Sequence, residues 1–152
     1  MKAAFYETLI RQAEALLADE DDLIAAMANF SALINDNLQD LNWAGFYIVK
    51  NGQLVLGPFQ GKVACTRIEF GKGVCGTAAA LNITQRVADV HQFDGHIACD
   101  AASNSEIVVP VRQNGQVIAV LDIDSPLLNR FDEDDQVGSE LLVKQFGNCL
   151  FG

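Results

Sequence analysis

Basic residues are scarce in this 152-residue chain: ten Lys and Arg stand against twenty Asp and Glu, a formal charge of −10. A surface of that sign repels phosphate backbones and anionic lipid, so neither nucleic acid nor a membrane is expected as a partner. Long apolar runs are also missing, since no stretch approaches the ~20 residues that span a bilayer. The opening segment MKAAFYETLIRQAEALL is broken by Glu7, Arg11, Gln12 and Glu14, which leaves no signal-peptide core. The expectation is a soluble, cytoplasmic protein. Cysteine is sparse and lacks a C-x-x-C pair: Cys65, Cys75, Cys99 and Cys149 are too few to staple a chain this long. In a reducing compartment their ordinary role is to pack as small buried hydrophobes. Half of the residues are hydrophobic and only 20% charged, which excludes an extended disordered chain. The length predicts one domain, residues 1–152, with a core of its own.

Periodicity supplies the elements. Phe5, Leu9, Ala13, Leu16 and Leu17 recur at helical spacing opposite Glu7, Arg11 and Glu14, which predicts an amphipathic helix. Asp21 and Asp22 can cap a second helix with an inner face of Leu23, Met27, Phe30 and Ile34. Residues 43–49 are apolar on both parities, as in a strand covered on both faces. They lead through Asn51-Gly52, a two-residue hairpin signal, into Leu54-Val55-Leu56. A second hairpin repeats the design, with residues 107–111, a turn at Asn114-Gly115, and residues 117–123. A last helix carries Leu142, Phe146, Cys149 and Leu150 on one stripe, so Cys149 reads as structural. Between the hairpins, residues 60–106 are irregular apart from a short helix near 73–81 and a strand near 85–87. This long stretch holds both histidines and three of the four cysteines, and long loops inside compact domains are usually functional. The pattern predicts an α/β protein with a central, mainly antiparallel sheet flanked by N-terminal and C-terminal helices.

Several chemistries compete for the irregular region. Gly71-Lys72-Gly73-Val74-Cys75-Gly76 matches G-x-G-x-x-G, but a dinucleotide site needs a βαβ unit and an acid ~20 residues further on. The hairpins argue against the first, and Asp89 comes too early for the second. A tight turn opening a helix is the better reading, and the helix N-terminus could hold an anion such as a substrate carboxylate. His96-x-x-Cys99 is only half of a zinc-binding pair, so no metal is expected. A cysteine hydrolase would need a thiol, a histidine base and an orienting acid; these sit on one loop with no nucleophile signature around Cys99. Redox chemistry on sulfur needs one reactive thiol and a second to resolve the product, for which Cys65, Cys75 and Cys99 are the candidates. Carboxylates add a further element. Asp122 and Asp124, two apart on a strand, share a face, and Glu106 opens the partner strand. A strict two-residue turn at Asn114-Gly115 would pair Glu106 with Ile123 and place it on the wrong face. A bulge near Pro110, or strand twist near the sheet end, would bring it to the aspartates.

Together these segments resemble a known family. Gly61-Lys62-Val63-Ala64-Cys65, the glycine-rich 71–76 segment, Asp89-Val90-His91, Gly95-His96-Ile97-Ala98-Cys99-Asp100, residues 103–110 and Leu121-Asp122-Ile123-Asp124-Ser125-Pro126 are similar to the free methionine-(R)-sulfoxide reductases, small GAF-domain enzymes. The resemblance runs from Asn42 to Glu140, with one departure at Asp94, where the family pattern has proline. It implies a GAF-like fold, a catalytic Cys99, a resolving Cys65 and a third cysteine, Cys75, that assists recycling. It implies that Glu106, Asp122 and Asp124 hold the substrate's polar groups. Trp43 would pack on the methyl carried by sulfur, with Tyr47 further along the same strand face. The implied activity is reduction of free L-methionine-(R)-S-oxide with thioredoxin as reductant, no metal or organic cofactor, and a homodimeric state. The alternative is a GAF-type sensor that binds a small molecule without turning it over. A fold does not separate the two, but a sensor has no need of two placed thiols.

Overall fold

Two Asn-Gly turns set the frame of the sheet. Asn51 and Asn114 have φ of 53° and 54°, and Gly52 and Gly115 have 78° and 80°. These left-handed turn pairs match the twist of antiparallel strands. The first joins β1 (Trp43–Lys50) to β2 (Gln53–Gly61) and the second joins β5 (Ser105–Gln113) to β6 (Gln116–Ser125). The computed structural model describes residues 2–95 and 102–152. Two short strands complete a six-stranded sheet: β3 (Arg67–Glu69) and β4 (Gln85–Val87). The order is β3-β2-β1-β6-β5-β4, and every pairing is antiparallel. This is the predicted architecture.

Three helices cover one face: α1 (Lys2–Leu17), α2 (Leu23–Asn37) and α4 (Glu133–Phe151). Asp22 caps α2, its carboxylate accepting from the Ala25 N–H, and Met27, Phe30 and Ile34 face inward as predicted. The α1 stripe differs from the predicted one. Tyr6, Leu9, Ala13 and Leu17 are buried, while Phe5 and Leu16 are exposed. Two features of α4 select Tyr6 over Phe5. Its hydroxyl donates to the buried Asp135 at 2.7 Å, and its ring occupies the space left by the missing side chain of Gly138. Cys149 is half-buried on α4 against this core and receives a hydrogen bond from Gln145.

The other face carries α3 (Gly73–Leu81), which connects β3 at one sheet edge to β4 at the other and so crosses the strands between them. A βαβ unit would put its two strands parallel in one neighbourhood, so the glycine pattern here is a turn and helix start. Gly76 lets α3 settle close, because a Cβ there would lie 2.4 Å from the Glu69 carbonyl oxygen. The alternation of β1 follows from the two covers. Ala44, Phe46 and Ile48 join the three-helix core, while Trp43, Tyr47 and Val49 join the core beneath α3. Among the described residues, no helix is long and apolar enough to cross a membrane.

Candidate active site

The β5–β6 register decides whether the acids meet. Around the turn, Gln113 pairs with Gln116 and Arg112 with Val117, but Val111 pairs with Ala119. Ile118 is therefore an extra residue in β6, a bulge next to the position predicted at Pro110. From there the shifted register places Glu106 opposite Asp124 and Val108 opposite Asp122. On the other side of β6, Asp124 faces Trp43 and Asp122 faces Gly45. Glu106, Asp122, Asp124, Trp43 and Tyr47 thus share the face covered by α3.

The three carboxyls are almost fully enclosed, at 7%, 5% and 8% exposure for Glu106, Asp122 and Asp124. The ion pairs of the described residues involve other acids. Burial alone holds all three above the usual carboxylate range, because the charged form loses its hydration. Mutual repulsion adds to this at the two aspartates, which are pushed well above it; hydrogen bonding raises Asp122 further, whereas at Asp124 the bonds with Asp122 and Ser103 partly offset the rise. Hydrogen bonds from its neighbours partly offset the effect at Glu106. The cluster therefore retains protons where isolated carboxylates would be ionised. Ser103 donates to Oδ2 of Asp124 at 3.2 Å and receives a bond from Asn42 at 3.0 Å. Oδ1 of Asp122 and Oδ1 of Asp124 are buried without a hydrogen-bond partner among the described residues, so both can receive a donor from a bound molecule.

Cys75, in the first turn of α3, brings sulfur to the same place. Its Sγ lies 3.9 Å from Oε2 of Glu106. Burial, followed by the neighbouring acids, pushes the thiol well above its ordinary value, so it remains protonated. Ligand atoms of Cys75, Glu106 and Asp122 lie within 4.8 Å of one another, the one grouping with metal-ligand spacing among the described residues. The apolar wall is a stack of rings. Trp43 lies 5.0 Å from Phe59 and 5.8 Å from Tyr47, centroid to centroid, with interplanar angles of 15° and 21°. The indole N–H donates to the Lys62 carbonyl at 3.1 Å and the Tyr47 hydroxyl to the Cys65 carbonyl at 3.0 Å. Burial and the adjacent acids raise the Tyr47 phenol, keeping it a donor.

Cys65 is half-buried at the edge of this wall and is disulfide-bonded, whereas Cys75 and Cys149 are free thiols. Cys99 and His96 lie outside the described residues. His91 is exposed and its Nδ1 is 3.1 Å from Asp89, whose carboxylate also caps a short 3₁₀ turn, Val90–Gln92. Ser103, within the 103–110 segment, Asn42 and Phe59 belong to the site although sequence assigns none of them a role. Small polar residues in a loop and one more phenylalanine in a strand carry no distinguishing pattern.

The fold as a whole has close counterparts among known proteins. The model of the GAF domain matches residues 20–150. The free methionine-R-sulfoxide reductase of Escherichia coli is 56% identical over 149 residues, covering 98% of this chain and 90% of that protein. A structure of free methionine-R-sulfoxide reductase from Neisseria meningitidis in complex with its substrate superposes with a TM-score of 0.94 at 45% identity, covering 98% of this chain and 90% of that one. A Burkholderia vietnamiensis structure described as a GAF sensor protein superposes at 0.96 with 56% identity, covering 99% and 96%.

Proposed function

From the premise that this chain belongs to the GAF-domain family and, within it, to the free methionine-R-sulfoxide reductases, we propose that it reduces free L-methionine-(R)-S-oxide to methionine through Cys99 and Cys65. The observation that carries the proposal is the buried acid trio facing Trp43. Reducing a sulfoxide requires a nucleophile at sulfur and a proton for the departing oxygen. Protonated carboxyls at Asp122 and Asp124, with Glu106 beside them, supply the second requirement in an enclosed site where hydrogen bonds to a polarised S–O group are strong. Trp43 gives the methyl group an apolar wall.

The Cys99 thiolate attacks the sulfoxide sulfur. Protonated oxygen ends on Cys99 as a sulfenic acid, and methionine, reduced by two electrons, leaves. Cys65 then condenses with the sulfenic acid, releasing water and forming a Cys65–Cys99 disulfide. A dithiol such as thioredoxin returns both to thiols in the cytoplasm. The disulfide state of Cys65, beside free Cys75 and Cys149, supports its assignment as the resolving thiol. Cys75, held neutral beneath α3, acts as a donor to Glu106 during the first step and enters recycling only if that environment opens. No metal or organic cofactor takes part.

The likeness to a protein described as a sensor keeps the binding-module reading as the competitor. Single-turnover chemistry separates them. Cys65→Ser, reduced and mixed with the substrate, should yield about one methionine per protein, and Cys99→Ser none. Binding of the sulfoxide with no methionine formed and no loss of titratable thiols in the unsubstituted protein would establish a sensor.

A further inference from the structure

The chain is pinned on both sides of Val63. The Lys62 carbonyl accepts from the Trp43 indole and the Cys65 carbonyl from the Tyr47 hydroxyl, while the Leu56 N–H donates to the Thr66 carbonyl at 3.0 Å. Between these ties the Val63 side chain stands in solvent. At 88% it is the most exposed of the large apolar side chains among the described residues. Two positions on is Cys65, half-buried and disulfide-bonded. The charge here also departs from that of the molecule. Residues 62–72 carry Lys62, Arg67 and Lys72 against Glu69 alone, all four exposed, in a chain of formal charge −10.

We infer that the loop at Lys62, Val63 and Cys65, with Arg67 beside it, is the docking surface of an acidic dithiol–disulfide oxidoreductase. The inference rests on Cys65 being the resolving thiol proposed above. Such a partner must bring a thiolate into line with the disulfide at contact distance, so the surface around the sulfur is the surface it binds. A rigid apolar tip offers contact area that loses little entropy on binding. The local excess of exposed cations attracts an acidic partner here, and the remaining acidic surface repels it elsewhere. The partner's thiolate attacks the Cys65 sulfur, forming a mixed disulfide and releasing the Cys99 thiolate. Its second thiol then displaces Cys65. Two electrons and two protons pass from the dithiol, and no other reactant is consumed.

The test measures initial rates of methionine formation by the intact protein, Val63→Asp, and the double variant Lys62→Glu/Arg67→Glu. One series uses an acidic thioredoxin recycled by its reductase and NADPH, and the other uses dithiothreitol. The KM for thioredoxin should rise about tenfold or more in each variant, while rates with dithiothreitol stay within about twofold. Added salt should lower kcat/KM for thioredoxin in the unsubstituted protein and have little effect on the double variant. Unchanged thioredoxin kinetics in both variants would overturn the docking surface. An equal loss with dithiothreitol would also overturn it, since the substitutions would then have displaced the Cys65 loop. Turnover of the unsubstituted protein with dithiothreitol but never with thioredoxin would refute the partner class alone. No turnover with either would refute the reductase reading and this inference with it.

Discussion

Replacing Asp122 by asparagine separates two effects that the native residue combines. A carboxyl whose folded pKa lies above its unfolded value binds its proton more tightly in the folded state. The stabilisation from that proton is complete below the ordinary aspartate range, near ~3.9, and is lost as pH rises through the folded value. Asp122 and Asp124 both stand well above that range. The protein should therefore lose stability from about pH 4 upward as these groups are forced to ionise. Asp122→Asn removes one such group and keeps its shape. It should be more stable than the native protein at neutral pH, with the difference vanishing near pH 4. Chemical denaturation across that pH range measures the effect, and parallel curves for the two proteins would contradict it. The same substitution, like Glu106→Gln, should lower kcat/KM by about 10²-fold or more, because an amide cannot hand over the acid proton. Cys149→Ala is the contrasting case: activity intact, stability reduced by about 1 kcal/mol or less, since its half-buried sulfur leaves only a small void on α4.

Among the elements, two glycines provide a paired experiment. A Cβ on Gly76 would meet the Glu69 carbonyl oxygen at 2.4 Å, and one on Gly138 would meet the Tyr6 ring at 2.2 Å. Alanine at either position should cost about 1–3 kcal/mol by overpacking, read from urea midpoints. Only Gly76→Ala should also change catalysis. It pushes α3, and with it Cys75, away from Glu106, whereas Gly138→Ala separates α1 from α4 on the far side of the sheet. Equal kinetics for both variants would show that the seating of α3 does not set the acid environment. The elements also show where sequence runs out. Asn51-Gly52, Asn114-Gly115 and the Asp22 cap were legible because each is a local rule. Periodicity favours Phe5 on the buried α1 face, but the choice of Tyr6 is made by Asp135 and Gly138 on a helix distant in sequence. β3 was missed because three residues with one buried side chain have no periodicity to detect. The acid trio was legible as a pattern, and its dependence on a bulge could be anticipated, but not that Ile118 would be the extra residue. Bulge position depends on twist and packing across two sheet faces.

The whole molecule is strongly acidic, yet the substrate proposed for its buried acids carries both an ammonium and a carboxylate. A free amino acid can meet the trio and the α3 N-terminus with complementary charge, whereas the same side chain within a polypeptide offers neutral amides. If the methyl is fixed on Trp43 and the oxide at the acids, as proposed, one epimer alone would present its sulfur to the nucleophile. Parallel initial rates should favour free methionine-(R)-sulfoxide over the S epimer and over an oxidised peptide by about 10³-fold. Comparable rates on all three would mean that the site is open rather than doubly anchored.

The pairing of β1 with β6 has a further consequence, during synthesis on the ribosome. β1 emerges early with its β2 partner, but the strand that completes its inner side is made only after β2, β3, α3, β4 and β5. Translation proceeds at ~5–20 residues per second, whereas hairpins form in microseconds, so the nascent chain waits with a half-paired sheet. Trp43 is made long before Asp124 arrives to face it. A truncated or stalled chain therefore carries thiols, rings and Glu106 without the two aspartates, and the acid trio is complete only when β6 closes the sheet.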